Sequence, residues 1–130
     1  MKVLLAEDEE DIQRLAQMSL ERGGDWQVLV ARDGEECLRL AGQEHPDVIL
    51  LDARMPRLDG FRACERLKAD PATRPIPVIF LTASVQEPDL HRGLAMGAIG
   101  YLTKPLDLLR LREQVLDLLH QAGRPPSLSP

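Results

Sequence analysis

Residues 48–52 read Val48-Ile49-Leu50-Leu51-Asp52, a run of four bulky apolar side chains that ends in a carboxylate. A strand with one face in water alternates apolar and polar residues, and this run does not alternate. Continuous apolar runs of this length are typical of strands that are covered on both faces of a parallel sheet. The run therefore predicts a buried central strand with Asp52 at its carboxyl end.

Four further runs repeat this pattern along the chain. Three are as apolar as the first and the last is weaker: Val3-Leu4-Leu5-Ala6, Val28-Leu29-Val30-Ala31, Val78-Ile79-Phe80-Leu81 and Gly100-Tyr101-Leu102-Thr103. Each run is followed by a segment with apolar residues at helical spacing. Strand and helix thus alternate five times. This alternation predicts a (βα)5, three-layer, doubly wound α/β sandwich around a parallel five-stranded sheet with right-handed crossovers.

Acidic residues mark where the helices begin. Asp33 is followed three residues later by Glu36, and Asp59 and Asp107 precede the third and fifth helical segments. Because an aspartate side chain accepts hydrogen bonds from the free amides of a first helical turn, we expect helices to start at these three aspartates. The fifth segment carries its apolar residues on one face: Leu108, Leu111, Val115, Leu118 and Leu119.

The chain has the length of one domain. At 130 residues it lies near the commonest domain size, so a second full domain has no room. The stretch Gly123-Arg124-Pro125-Pro126 ends the last helical segment, because proline cannot donate a backbone hydrogen bond inside a helix. We expect one domain over residues 1–122 and a Pro/Ser-rich tail or linker over residues 123–130.

Composition and charge exclude several classes of protein. The hydrophobic fraction of 44% with 28% charged residues is that of a globular domain and excludes a disordered chain. The net charge of -5, without a basic stripe, predicts that this domain binds no nucleic acid. Cys37 and Cys64 lack Cys-x-x-Cys spacing, so we expect two reduced core thiols. The first strand follows Met1-Lys2 directly, which predicts a cytoplasmic protein with no membrane partner.

Polar side chains follow the predicted strands at their carboxyl ends. They are Glu7 and Asp8, then Asp52, Thr82 and Lys104. Ligands of doubly wound sheets bind at this edge. Taken singly, each residue has an ordinary explanation: an acid beside a helix amino terminus, a turn aspartate, a strand-forming threonine and a surface lysine. Three carboxylates brought together, however, repel each other and favour a hard cation with oxygen ligands, which predicts a Mg²⁺ (or Mn²⁺) site.

The combination predicts more than a metal site. A cation and Lys104 can neutralise charge on the equatorial oxygens of a phosphoryl group, and the Thr82 hydroxyl can donate a hydrogen bond to one of them. Asp52 can attack phosphorus in line. These are the parts that phosphoryl transfer needs, so the strand ends together favour that chemistry over the separate explanations.

A set of motifs resembles the receiver domain of two-component response regulators. The resemblance covers residues 2–120 and rests on Glu7-Asp8, Asp52, Met55-Pro56-Arg57-Leu58-Asp59-Gly60, Thr82-Ala83 and Tyr101-Leu102-Thr103-Lys104-Pro105. It implies a flavodoxin-like fold with strand order 2-1-3-4-5. It also implies a phosphorylation-dependent signalling switch in a phosphorelay, with no enzymatic activity beyond phosphoacceptance and dephosphorylation.

The resemblance implies a role for each acidic residue. Asp52 would accept a phosphoryl group from a phosphohistidine on a sensor histidine kinase or histidine phosphotransfer protein. Asp8 would be the main protein ligand of Mg²⁺, Glu7 would act through a metal-bound water, and Asp52 would be a direct ligand. The backbone carbonyl of Arg54 would complete the metal site.

The resemblance also implies a switch. Lys104 would contact the phosphoryl group across a cis Lys104–Pro105 bond, a geometry that proline makes accessible. Thr82 and Tyr101 resemble the family's switch pair, in which the hydroxyl moves toward the phosphoryl group and the ring turns inward. The changed surface would comprise the fourth helix, the fifth strand and the fifth helix, read by an unknown downstream effector. Tyr101 also has a plainer reading as a half-buried strand aromatic.

Two positions beside the expected site vary within the family. Arg54 lies two residues after Asp52, and Ser84 lies two residues after Thr82. Side chains at these places influence the attack of water on an aspartyl phosphate, so the resemblance leaves the lifetime of the phosphorylated state open. An arginine there could pair with aspartate or phosphate oxygens in a bidentate contact that lysine cannot make.

Other functions stay open at this stage. An aspartate-nucleophile phosphatase of the haloacid-dehalogenase type needs a second Asp two residues after the first, where this chain has Arg54. A receiver-like interaction module that works without phosphorylation is the other alternative. Leu109 and Leu116, seven residues apart, are expected to point away from the core face of the last helix. They could contact a partner or a second copy in a phosphorylation-dependent homodimer, or extend a wide apolar stripe.

Overall fold

The computed structural model describes residues 1–123, and in this range five strands alternate with five helices. The elements are β1 (Lys2–Ala6), α1 (Glu10–Glu21), β2 (Gln27–Ala31), α2 (Gly34–Glu44), β3 (Val48–Asp52), α3 (Gly60–Ala69), β4 (Val78–Thr82), α4 (Pro88–Ala95), β5 (Gly100–Thr103) and α5 (Leu111–Gln121). None of these helices is long and apolar enough to cross a membrane. The predicted tail lies, apart from Gly123, outside the described residues.

The five strands form one parallel sheet of order β2-β1-β3-β4-β5. The predicted α/β alternation and strand order are both confirmed. β3 is the central strand, and all five of its residues are buried, as its continuous apolar run predicts. Its neighbours β1 and β4 come from either side of it in the sequence. The chain therefore reverses its winding direction at β1 and β3, which places the crevice of a doubly wound sheet at their carboxyl ends.

Helices cover both faces of the sheet. Successive strand residues point to opposite faces, so Ile49 and Leu51 of β3 join one core cluster and Leu50 joins the other. The first cluster packs against α2, α3 and α4, and the second packs against α1 and α5. Full burial of a leucine or isoleucine side chain contributes roughly 1.5–3 kcal/mol, so these layers hold the strand ends in fixed positions.

The helix starts agree with two of the three predicted caps. Asp33 and Asp59 each accept a backbone hydrogen bond of 2.9 Å, from Glu36 and Arg62, at the starts of α2 and α3. The third prediction is wrong, because α5 begins four residues after Asp107. The Asp107 carboxylate instead accepts a bond of 3.2 Å from the amide of Leu109. An aspartate that bonds two residues ahead closes a local turn, which competes with helix initiation.

The later start of α5 also corrects the predicted outward leucine pair. Leu109 precedes the helix and is 84% exposed. Leu116 lies within α5 and packs against the core cluster between the sheet and helices α1 and α5. The two side chains therefore do not form one outward stripe, because only one of them belongs to the helix.

The two cysteines are buried and unpaired, as predicted. Burial raises the pKa of Cys37 to about 12 and that of Cys64 to about 11. Both thiols are therefore protonated at neutral pH. Since the thiolate is the reactive form of cysteine, these residues act as small core side chains.

Candidate functional site

The sheet itself places the acidic residues. The backbone amide of Glu7 donates to the carbonyl of Ala31 at 2.9 Å, and the amide of Ala53 donates to the carbonyl of Leu81 at 2.9 Å. These bonds extend the strand pairing one step beyond β1 and β3. Glu7 and Asp52 are therefore held by the sheet at adjacent strand ends, with little freedom to separate.

The carboxylates of Glu7, Asp8 and Asp52 form one cluster. Each offers an oxygen, and these oxygens all lie within 4.8 Å of one another. Glu7 is 0% exposed and Asp52 is 4% exposed, whereas Asp8 faces solvent. Partial burial, followed by the close and negatively charged carboxylate of Glu7, raises the pKa of Asp8. The cluster thus concentrates negative charge at a place that is open to solvent on the Asp8 side.

Lys104 supplies the positive charge of the site. Its ammonium nitrogen lies 2.8 Å from Asp52 Oδ2 and 2.9 Å from Glu7 Oε1. Burial by itself lowers the pKa of Lys104, but the hydrogen bond that the ammonium donates to Asp52 and the close carboxylate of Glu7 outweigh burial and raise the pKa overall. Lys104 is placed by its own backbone amide, which donates to the carbonyl of Thr82 at 2.8 Å. The lysine is therefore part of the cluster rather than an ordinary surface residue.

One buried oxygen of the cluster is not satisfied. Glu7 Oε2 accepts a hydrogen bond of 3.1 Å from the amide of Glu9, but Glu7 Oε1 has no hydrogen-bond partner among the described residues. The Lys104 ammonium is within ion-pair distance of this oxygen, yet its direction does not make a hydrogen bond. Buried polar atoms without partners are rare and mark a place for water or an ion.

The donor set fits a hard divalent cation. The three clustered side chains offer only carboxylate oxygens, the ligand type that Mg²⁺ and Mn²⁺ prefer. The unsatisfied Glu7 oxygen faces the cluster and could accept a hydrogen bond from a metal-bound water. The backbone amide of Arg54 donates to Asp52 Oδ1 at 3.2 Å. The metal role of the Arg54 carbonyl stays a prediction.

The loop after β3 packs tightly against the site. A Cβ atom on Gly60 would lie 2.1 Å from the backbone carbonyl oxygen of Asp52, so only glycine lets α3 begin this close to the strand end. Arg57 has a φ of 69°, and the amide of Leu58 donates to the carbonyl of Pro56 at 2.9 Å, which is the bond of a γ-turn. The Met-Pro-Arg-Leu-Asp-Gly segment thus folds the chain back over Asp52.

Thr82 is buried at the end of β4, and its hydroxyl is engaged by its own loop. It donates to the carbonyl of Ser84 at 3.0 Å and accepts from the amide of Ser84 at 3.2 Å. Tyr101 lies on the neighbouring strand, paired in register with Phe80, and is 39% exposed. The Thr82 hydroxyl therefore bonds within its own loop, and the Tyr101 ring is partly exposed. The predicted cis Lys104–Pro105 bond is present.

Sequence reasoning missed Glu87. Arg54 could pair with aspartate or phosphate oxygens, and in this structure its guanidinium Nη2 lies 2.5 Å from Glu87 Oε2. The sequence marks Glu87 only as the residue before Pro88, the first residue of α4. The spacing of 33 residues between Arg54 and Glu87 follows no local periodicity. Only the pairing of β3 with β4 brings their loops together.

Comparison with known proteins gives a consistent result. Residues 3–116 match the family model of the response regulator receiver domain. Bacillus subtilis PhoP, an alkaline phosphatase synthesis transcriptional regulatory protein, is 40% identical over 121 residues, which are 93% of this chain and 49% of PhoP. The Caulobacter vibrioides response regulator PleD is 41% identical over 117 residues, which are 90% of this chain and 26% of PleD.

A solved structure extends the comparison to the fold. The chemotaxis response regulator CheY4 of Vibrio cholerae superposes with a TM-score of 0.83 at 30% identity, covering 91% of this chain and 98% of that chain. This chain spans about half the length of PhoP and about a quarter of PleD. The chain belongs to the response regulator receiver domains of two-component signal transduction.

Proposed function

We propose that this domain is a phosphorylation-dependent switch in which Asp52 accepts a phosphoryl group from a phosphohistidine. The observation that carries the proposal is the Lys104 ammonium, which lies within 3 Å of both Asp52 and Glu7 beside the exposed Asp8. A structural ion pair would need only one carboxylate. Three carboxylates and one ammonium at an open strand edge leave the net negative charge that a cation and a phosphoryl group require.

The transfer step uses one oxygen of Asp52 as the nucleophile. This oxygen bonds to phosphorus as the bond between phosphorus and the donor imidazole nitrogen breaks, and the nitrogen keeps the electron pair and takes a proton. Lys104 is close enough to move its hydrogen bond from Asp52 to a phosphoryl oxygen. The Thr82 hydroxyl can likewise exchange the Ser84 carbonyl for a second phosphoryl oxygen. Both exchanges place a positive charge or a hydrogen-bond donor beside the phosphoryl oxygens on which negative charge develops.

A divalent cation belongs to the proposal. Asp8 and Asp52 would hold Mg²⁺ or Mn²⁺ directly, Glu7 through a bound water, and Arg54 through its backbone carbonyl. When bound, the ion supplies neutralisation of charge on the transferred group. The repulsion among the three carboxylates and the unsatisfied Glu7 oxygen support this assignment.

The switch follows from the present position of Thr82. Its two hydrogen bonds to Ser84 would be lost when the hydroxyl turns toward a phosphoryl group. The loop before α4 would then move, and the half-exposed Tyr101 ring could turn into the space that Thr82 leaves. The surface of α4, β5 and α5 would change with it. A phosphoryl group can shift such an equilibrium because it binds the two conformations differently.

The phosphodonor has a candidate docking surface. An apolar groove of about 220 Å³ lies beside the site and is lined by Ile12, Leu15, Lys104, Pro105, Leu106 and Leu108. Leu15 is 49% exposed there. A sensor histidine kinase or histidine phosphotransfer protein that covered this groove would bring its phosphohistidine to Lys104 and Asp52.

The receiver unit comprises residues 1–122 and is cytoplasmic, with no enzymatic activity beyond phosphoacceptance and dephosphorylation. A downstream effector or a second copy of the domain reads the surface of α4, β5 and α5. PhoP carries the name of a transcriptional regulatory protein, and this chain would regulate an output of that kind only if a further segment or partner supplied it.

The test is direct phosphorylation by a small-molecule donor. Acetyl phosphate with Mg²⁺ should add one phosphoryl group to the wild-type protein in intact-mass measurements, and Asp52→Asn should abolish the addition. Asp117→Asn, an exposed aspartate of α5, is the matched control and should be modified like the wild type. A wild-type protein that stays unmodified would overturn the proposal and favour an interaction module that works without phosphorylation.

A further inference from the structure

An ion pair joins two loops that follow the neighbouring strands β3 and β4. Arg54, in the loop after β3, places Nη2 2.5 Å from Oε2 of Glu87, in the loop before α4. The hydrogen bond that Arg54 donates to Glu87 raises the pKa of the guanidinium. The Arg54 side chain is 60% exposed and that of Glu87 is 23% exposed, so solvent and ligands can reach the arginine. The pair therefore connects the loop of the phosphoacceptor to the first turn of α4.

Glu87 uses its carboxylate for this contact rather than for its own helix. It occupies the N-cap position of α4, yet its side chain caps no amide, and Pro88 follows as the first helical residue. A carboxylate at a helix amino terminus is normally stabilised by the free amides and the dipole there. Here the arginine is the stronger partner, so the position of the α4 amino terminus depends on where Arg54 points.

Arg54 starts close to the place where a phosphoryl group would be added. Its backbone amide is 3.2 Å from Asp52 Oδ1, and its guanidinium carbon lies 5.5 Å from the centre of the Phe61 ring. A phosphoryl group carries more negative charge than one carboxylate and offers three acceptor oxygens. The planar fork of arginine binds such a group in two places at once, whereas one Arg54 nitrogen now contacts one oxygen of Glu87.

We propose that Arg54 changes partner when Asp52 is phosphorylated, leaving Glu87 for the phosphoryl oxygens and releasing the first turn of α4. The proposal rests on the phosphoacceptor role of Asp52. It adds a second route from the site to α4 beside that of Thr82. Because the phosphoryl group and Glu87 compete for one guanidinium, each weakens the binding of the other to Arg54.

The test compares binding of a phosphoryl mimic in a double-mutant cycle. Beryllofluoride with Mg²⁺ is titrated into each protein, and the bound fraction is read from the fluorine NMR signal. Glu87→Gln frees the arginine and should tighten binding about fivefold, which corresponds to about 1 kcal/mol for one ion pair. Arg54→Ala should weaken binding by a similar factor. In the Arg54→Ala background, Glu87→Gln should have no further effect.

Glu113→Gln is the matched control. Glu113 Oε2 lies 3.4 Å from Arg110 Nε in another exposed ion pair, and neither residue belongs to the carboxylate cluster, so this variant should bind beryllofluoride like the wild type. Hydrogen exchange of residues 87–95 gives a second readout. It should rise in the wild type when beryllofluoride binds, and it should already be high in Glu87→Gln without the mimic.

The outcomes separate this inference from the proposed function. A wild-type protein that neither binds beryllofluoride nor accepts a phosphoryl group would overturn both. If the wild type binds the mimic while Glu87→Gln binds it equally or more weakly, the partner change is wrong and the phosphoacceptor role stands. The partner change is also wrong if Glu87→Gln tightens binding in the Arg54→Ala background, because Glu87 would then act without the arginine.

Discussion

Two cations that pair with acidic side chains lie in different parts of the molecule. They differ in how completely the polar atoms around them are hydrogen-bonded. Lys104 joins the nearly buried Asp52 and Glu7 at the carboxyl edge of the sheet. Arg112 of α5 joins the exposed Asp25, with two contacts of 3.1 Å. It also donates to the carbonyl of Arg22 and lies 4.5 Å above the Trp26 ring.

The Lys104 cluster has the features of a functional site, whereas the Arg112 contact is purely structural. Every polar group of the Arg112 contact is paired or in water, and the result is a fixed connection between α5 and the segment after α1. The Lys104 cluster instead leaves a buried carboxylate oxygen without a hydrogen bond and an exposed Asp8 beside it. An incompletely satisfied buried cluster is costly unless a ligand completes it. Function is therefore expected at the cluster that is less well satisfied.

The largest effect is expected from Lys104→Met. Loss of the ammonium leaves two nearly buried carboxylates without their cation, so the free energy of unfolding in urea without Mg²⁺ should fall by about 3 kcal/mol. Phosphorylation by acetyl phosphate should slow by about 10²–10³-fold, because a group that neutralises developing charge is gone. Added Mg²⁺ should restore part of the stability but not the rate. Unchanged phosphorylation would mean that Lys104 is structural, like Arg112.

An intermediate effect is expected from Asp8→Asn. Because the substitution removes a proposed direct ligand, it should weaken Mg²⁺ binding by about 10–100-fold in calorimetry. Its pKa is raised above 3.8 by burial and by Glu7. A proton and the cation compete for this carboxylate, so wild-type Mg²⁺ affinity should fall as the pH drops through the raised pKa, and Asp8→Asn should lose this part of the pH dependence.

The raised pKa of Asp8 also affects the stability of the metal-free protein. Stability should fall as the pH rises, whereas Mg²⁺ affinity should increase. A carboxyl group whose pKa is higher in the folded than in the unfolded protein binds protons more tightly when folded. Its contribution therefore lowers stability as the pH rises from 3.8 through the folded pKa. Without metal at neutral pH, Asp8→Asn should unfold at a higher urea concentration than the wild type. A variant that is less stable under those conditions would contradict the repulsion assigned to the cluster.

The smallest effect is expected from Arg112→Ala. The contact with Asp25 is solvent-exposed, so its loss together with the contact to Trp26 should lower the melting temperature by only a few degrees. Phosphorylation by acetyl phosphate and Mg²⁺ affinity should equal those of the wild type. Slower phosphorylation in this variant would show that the Arg112 contact is coupled to the Lys104 cluster and is not purely structural.

Much of the candidate site is encoded locally in the sequence. Asp52, Thr82 and Lys104 each follow a strand whose apolar run is visible without a structure, and parallel strands bring their carboxyl ends to one edge. The same patterns correctly predict the five strands, their order through the family resemblance, and the caps Asp33 and Asp59. The start of α5 was not predicted correctly, since Asp107 caps a turn as readily as a helix.

The sequence by itself determined the alternation of strands and helices and the set of polar residues at the strand ends, because short apolar runs and helical spacing are visible within a few consecutive residues. Only the tertiary structure decided which charges meet. Arg54 pairs with Glu87 across 33 positions and Arg112 pairs with Asp25 across 87, and no local pattern relates such residues. The packing of loops and helices around the sheet sets these distances, and with them the difference between the Lys104 cluster and the Arg112 contact.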